Sequence, residues 1–163
     1  MGDQPFQAIE GSCVCGSVRY RMTAKPLFVH CCHCRWCQRE TGSAFVLNAM
    51  LETECLGVLQ GAPETVMTPS ESGKGQKIVR CSECKVALWS HYAGIGDKVS
   101  FIRVGTLDKP DLAPPDIHIF TSSKQPWVTL GDNLPVYAEY YDWRKEWPAA
   151  SQARRAAMKS AGA

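Results

Sequence analysis

Apolar and polar positions alternate in short runs along most of this chain. In "SVRYRMTA" (17–24), Val18, Tyr20 and Met22 interleave with Arg19, Arg21 and Thr23, the two-residue period of a strand with one buried face. "AFVLNAML" (44–51) and "ECLGVLQ" (54–60) predict two more strands, the second weakened by Gly57. "KIVR" (77–80), "VALWSHY" (86–92), "VSFIRVGTL" (99–107) and "IHIFTSS" (117–123) predict the rest. Between them, "GAPETVMTPSESGKGQ" (61–76) and "KPDLAPPD" (109–116) read as loops and "GIGDK" (94–98) as a turn. Helix is favoured at "RWCQRETG" (35–42) and at "PAASQARRAAMKSAGA" (148–163), where Pro148 suits a first turn and strong helix formers follow. Many short strands with Gly/Pro punctuation predict a mainly β domain over 1–147, with 148–163 a C-terminal helix or tail. "SESGKGQK" lacks the first glycine of a phosphate loop and the Ser/Thr after its Gly-Lys, so it is set aside.

Length and composition narrow the class. The 163 residues suffice for one domain with its own core. A hydrophobic content of 45% and a charged content of 21% suit a soluble globular protein. The net charge of +2 gives no electrostatic case for a nucleic-acid partner. No run approaches a membrane span, and the first residues lack a signal peptide's apolar core, so a cytoplasmic location is expected. The sequence leaves the oligomeric state open.

The nine cysteines change the picture most. Their count is odd, the expected compartment is reducing, and spacings of one and two residues favour chelation over disulfides. They form three knuckles: Cys13-Val14-Cys15, the run Cys32-His33-Cys34-Arg35-Trp36-Cys37, and Cys81-Ser82-Glu83-Cys84. Zinc suits such thiolates, whereas neither ferredoxin spacing is matched. Seven thiolates divide as four plus three, and a site with three protein ligands keeps a position open for chemistry. Alternatively Cys31, His30 or His33 completes the second tetrahedron and both ions are structural. Spacing leaves both divisions open. Cys55 reads as a small buried apolar residue, Trp89 as core, and Trp143 and Trp147 as docking the C-terminal segment. His118, between Ile117 and Ile119, should face away from both.

The segments "GSCVCGSVRY", "HCCHCRWCQRETGSAF", "RCSECKVALWSHY" and "HIFTSSKQPWVTLGDNLPVY" together resemble the glutathione-dependent formaldehyde-activating enzyme family, which includes centromere protein V. The resemblance covers roughly residues 8–140. It implies an Mss-four-like (β-tent) zinc-binding fold of short antiparallel sheets, shared with a small Rab-binding chaperone and methionine sulfoxide reductase B. It implies two zinc ions: a structural one on Cys13, Cys15, Cys81 and Cys84, and a catalytic one on Cys32, Cys34 and Cys37. The implied reaction adds glutathione to formaldehyde, the work of a carbon–sulfur lyase run in the synthetic direction.

The carboxylates of glutathione call for cations, and Arg35, Arg39 and Lys124 are the candidates, with Trp36 and Trp127 as walls and His33 or His118 as proton carriers. Three readings follow. A lyase-type enzyme acting on a small thiol and an aldehyde predicts an open metal site in a pocket. A zinc-stabilised binding module predicts two closed sites and an exposed apolar patch. A thiol redox enzyme using Cys31 or Cys55 predicts an accessible thiol of low pKa away from any metal.

Overall fold

The alternation around Tyr20 builds a three-stranded antiparallel sheet. Its strands are β1 (Ile9–Ser12), β2 (Arg19–Met22) and β5 (Leu56–Gln60), in the order β1-β2-β5. Tyr20 and Met22 are fully buried, while Arg19 and Arg21 stay on the outer face and grip Glu10. The computed structural model describes residues 6–131 and 133–160, the side chains of 159 and 160 excepted.

A second sheet of seven strands carries the rest of the alternation. It comprises β3 (Phe28–Cys32), β4 (Val46–Glu52), β6 (Glu64–Thr68), β7 (Gln76–Arg80), β8 (Ala87–Tyr92), β9 (Val99–Arg103) and β10 (Ile117–Ile119). Their order is β10-β3-β4-β9-β8-β7-β6. Every pair runs antiparallel except β10 and β3, which run parallel with Ile117 opposite His30. The mainly β fold is as expected, with that one parallel pairing added. Two expected strands stop early. β9 ends at Arg103 before a 3-10 turn over Val104–Thr106, and β10 ends where Phe120 takes a φ of 56°.

The large sheet has two working faces. Val29, Ala49, Leu51 and Ile102 pack against Tyr20 and Met22 of the small sheet. Burying Met22 alone contributes about 1.5–3 kcal/mol. The ring of Tyr20 meets Trp89 edge-on at 5.5 Å, and its hydroxyl lies 2.6 Å from Thr106 Oγ1. Gly11 is required beneath that ring, since a Cβ there would stand 2.5 Å from it.

The other face, with Phe28, Met50, Phe101, Ile117 and Ile119, is covered by the later chain. Residues 135–137 run beside β10: the His118 N–H donates to Pro135 O at 2.9 Å, and the Tyr137 N–H to His118 O at 2.9 Å. Helix α1 (Arg35–Thr41) follows β3 directly. Helices α2 (Trp143–Glu146) and α3 (Ala149–Ser160) close the covering. Trp147 stacks on Phe28 at 5.8 Å. Arg154 ties α3 to the end of β4 through Glu52, with Nε 2.8 Å from Oε1. Residues 161–163 of the expected C-terminal segment, like 1–5 and Asp132, lie outside the described residues. Among the described residues no helix is long and apolar enough to cross a membrane.

Candidate metal centres and the cavity above them

The turn after β1 and the turn after β7 meet between the two sheets. They bring the Sγ atoms of Cys13, Cys15, Cys81 and Cys84 within 4.8 Å of one another. Each knuckle turns on a residue in the left-handed region, Gly16 (φ 76°) and Lys85 (φ 63°). The Cys13–Cys15 and Cys15–Cys81 sulfur separations are 3.4 and 3.7 Å. Tetrahedral zinc with bonds of about 2.3 Å would hold its sulfurs ~3.8 Å apart, so the donor set fits. Backbone N–H groups of Val18 and Glu83 point at the sulfurs of Cys13 and Cys81, at 3.3 and 3.4 Å. Hydrogen bonding with Ser17, with Cys13 adding to it, brings the Cys15 thiol down to about 6.

A second group forms where β3 runs into α1. Cys32 ends the strand, Cys34 caps the helix by accepting the Cys37 N–H at 3.3 Å, and Cys37 sits in the first turn. Buried Gln38 fastens this junction, donating to His33 O at 2.6 Å and Ser123 O at 2.9 Å. The three sulfurs lie within 4.8 Å of one another, and the group has no fourth Cys, His, Asp or Glu donor among the described residues. Hydrogen bonds from Cys32 and then Cys37 bring the Cys34 thiol down to about 3. Donating to Cys34 pushes Cys32 well above the ordinary thiol range. Three thiolates in this buried place require a cation, and soft sulfur donors fit zinc.

Behind the group lies a buried guanidinium. Arg103 donates to Asn48 Oδ1 and, at 2.9 Å, to Ser90 Oγ; its Nε has no hydrogen-bond partner among the described residues. Its positive charge acts on Cys37.

Cys31, His33 and His118 form a third group of possible donors, all buried. Here His33 Nε2 stands 3.0 Å from His118 Nδ1 and 3.5 Å from Cys31 Sγ. Cys31 faces the opposite side of β3 from Cys32 by strand alternation. Neither Cys31 nor His33 joins the Cys32 group, and neither His33 nor His118, the expected proton carriers, lines the cavity described next.

That cavity, of about 480 Å³, has Cys32, Cys34 and Cys37 in its lining. Its walls are largely aromatic, with Trp36, Tyr92, Phe101, Tyr141, Trp143 and Trp147 prominent. The histidine of the wall is His30, which burial holds down at about 4 and hence neutral at pH 7. Its Nε2 meets the Tyr141 hydroxyl at 2.6 Å, and that hydroxyl also accepts from Trp147 Nε1 at 2.7 Å.

Of the side chains expected to wall or hold a thiol substrate, Trp36 lines the cavity. Arg35, Arg39, Lys124 and Trp127 stand outside it. Arg35 is exposed and donates to Gln38 Oε1 at 2.6 Å, and Arg39 is exposed on α1. Lys124 Nζ is spent on the carbonyls of Gln125 and Val128, at 3.1 and 2.6 Å, and Trp127 is 73% exposed. Sequence reasoning missed His30, Tyr141 and Arg155 as wall residues and read Trp143 and Trp147 only as docking. The aromatic run "EYYDWRKEW" was the available signal. Cys55 is half-buried and burial pushes its thiol up, while Cys31 is buried, so neither is the accessible, acidic thiol a redox enzyme needs.

The family model described as glutathione-dependent formaldehyde-activating enzyme matches residues 8–123. A Halomonas elongata protein, provisionally named a glutathione-dependent formaldehyde-activating enzyme, is 29% identical over 130 residues, spanning 75% of this chain and 80% of that protein. A crystal structure of a Rhodobacter sphaeroides protein, solved as a structural-genomics target, superposes with a TM-score of 0.48 at 19% identity, covering 65% of this chain and 96% of that one. The family match runs from before Cys13 to beyond Cys84 and takes in all three knuckles, and on it the chain belongs to the glutathione-dependent formaldehyde-activating enzyme family.

Proposed function

We propose that the chain is a zinc-dependent enzyme of the carbon–sulfur lyase type that joins a small thiol to an aldehyde carbonyl. The family's name makes glutathione and formaldehyde the first pair to test. The observation that carries this reading is a group of three buried sulfurs, lacking a fourth protein donor among the described residues, in the lining of a cavity. In it, Cys13, Cys15, Cys81 and Cys84 hold a structural zinc that staples the two sheets, and Cys32, Cys34 and Cys37 hold the second. Bound there, zinc carries a net charge of −1 with its three thiolates, so it serves to deprotonate and position an incoming thiol more than to polarise a carbonyl.

In the reaction the thiol S–H breaks and a sulfur lone pair forms the new S–C bond. The C=O π pair moves to oxygen, and oxygen takes up a proton, so none is gained or lost overall. The residues of the chain set the stage. Arg103 offsets the centre's negative charge from behind, and the Cys34 cap fixes Cys37 relative to Cys32. The aromatic wall keeps bulk water from the reacting sulfur. A reducing, cytoplasmic setting suits both centres, since the cysteines among the described residues form no disulfide.

Metal analysis of two variants tests the proposal. The unaltered protein should carry two zinc equivalents. Cys34→Ala should carry one, keep its far-UV circular dichroism, and lose glutathione-dependent consumption of formaldehyde. Cys81→Ala should fail to fold. A Cys34→Ala protein that keeps both ions, or that unfolds as Cys81→Ala does, would overturn the reading.

A further inference from the structure

A one-carbon aldehyde needs little room, so a cavity of about 480 Å³ is sized for the other reactant. Glutathione brings two carboxylates, an ammonium and two amides, all of which need partners when taken out of water. The wall offers few. Tyr141, His30 and Trp147 use their polar tips on one another. Asn48 Oδ1 is held by Arg103, and Gln76 Nε2 donates to Pro69 O at 3.1 Å. Gln76 Oε1 is buried without a partner and can accept from one N–H of a ligand, but it offers nothing to a carboxylate. Glu71 and Lys74 are exposed and of opposite sign.

One cation is built into the wall. The Arg155 guanidinium lies over Trp143, 4.2 Å from the ring centroid, and 5.3 Å from that of Trp147. It has no carboxylate partner among the described residues, and its Nε is buried without a hydrogen bond. Stacking fixes the plane of the fork and leaves its edge to meet a carboxylate. α3 is itself clamped through Arg154 and Glu52, which holds Arg155 in place from the next residue.

We propose that this cavity selects a thiol with an apolar, ring-like body and a single carboxylate, the carboxylate meeting Arg155 and the sulfur reaching Cys32, Cys34 and Cys37, in preference to glutathione. The inference rests on reading those cysteines as a thiol-accepting zinc site. Rings of the ligand lie among rings of the wall, and its one anion answers the cation stacked into that wall, Lys74 being exposed.

The test uses the full chain with cobalt(II) in place of zinc, read by the change in its visible absorption when an added thiol ligates the metal. Three alkyl thiols of comparable acidity serve as probes: 4-(mercaptomethyl)benzoate, its uncharged analogue benzyl mercaptan, and glutathione. The mercaptobenzoate should bind about tenfold more tightly than glutathione or better. Arg155→Met should weaken the mercaptobenzoate by about tenfold while leaving benzyl mercaptan within about twofold. Arg155→Lys, which keeps the charge, should recover part of the loss. Metal content and circular dichroism of both variants confirm that they are folded. Tighter binding of glutathione than of the mercaptobenzoate, or an equal loss for both aromatic probes in Arg155→Met, would overturn the selectivity while leaving the zinc site standing. A cobalt spectrum that no thiol perturbs would instead overturn the underlying reading, and this inference with it.

Discussion

Arg103 carries its charge into the core with the amide of Asn48 and the hydroxyls of Ser90 and Tyr92 for company and no carboxylate among the described residues. A buried cation without a counter-ion is costly, and the thiolate centre proposed beside it would supply the missing negative charge. Replacing it by methionine, Arg103→Met, should weaken the second zinc by about 10- to 100-fold and leave the four-cysteine site unaffected. Competition with a chelating dye measures this; unchanged affinity would make Arg103 purely structural. The cysteines of both groups were legible from spacing alone, because ligand chemistry is local. Arg103 was not. In "VSFIRVGTL" an arginine within a β-branched run reads as the outward-facing position of a strand, and nothing nearby in the chain reports that Asn48 and Ser90 lie across from it. Counting seven thiolates left open whether Cys31, His30 or His33 completes the second group, and the separation of Cys31 and His33 from Cys32 needed the strand's alternation.

At the scale of elements, the pattern along the chain found seven of the ten described strands and missed β1, β3 and β6, the last two for opposite reasons. All five residues of β3 are buried, so it shows no alternation, and its cysteines drew the eye to a metal loop. β6 is an edge strand whose residues are mostly exposed, set in Pro, Ser and Gly, and it read as loop. Helices α1 and α3 were visible in propensity, but neither the short α2 nor what α3 covers. Its clamp is testable. Glu52→Gln removes the charge that Arg154 grips and should cost about 1–3 kcal/mol, read as a lowered Tm. It should also raise acrylamide quenching of Trp143 and Trp147 as α3 loosens, without changing zinc content. A Tm equal to the parent's would show that packing alone holds the helix.

The whole molecule is two sheets joined by one cluster of sulfur and capped by a late aromatic segment. The fold class was readable because it sums many short-range signals. The cavity was not, because its walls come from β3, β8, β9 and the last helices, and no local pattern reports their meeting. The arrangement predicts a two-step response to metal removal. A chelator at neutral pH should first strip the Cys32, Cys34 and Cys37 site with the circular dichroism intact. Loss of the second equivalent should coincide with cooperative unfolding, because the cluster joining the sheets is then gone. Simultaneous loss of both ions would contradict this order.

The parallel pairing of β10 with β3 and the covering by Trp147 also set a calendar for biosynthesis. The thiols of β3 and α1 emerge from the ribosome well before the aromatic residues that roof them. At ~5–20 residues per second the interval is on the order of ten seconds. For that time the sulfurs stand uncovered, open to metal donors and oxidants alike; afterwards a roof of rings stands over them. With zinc at those sulfurs as proposed, its delivery would be a race run during translation, and starving cells of zinc should harm newly made chains far more than old ones.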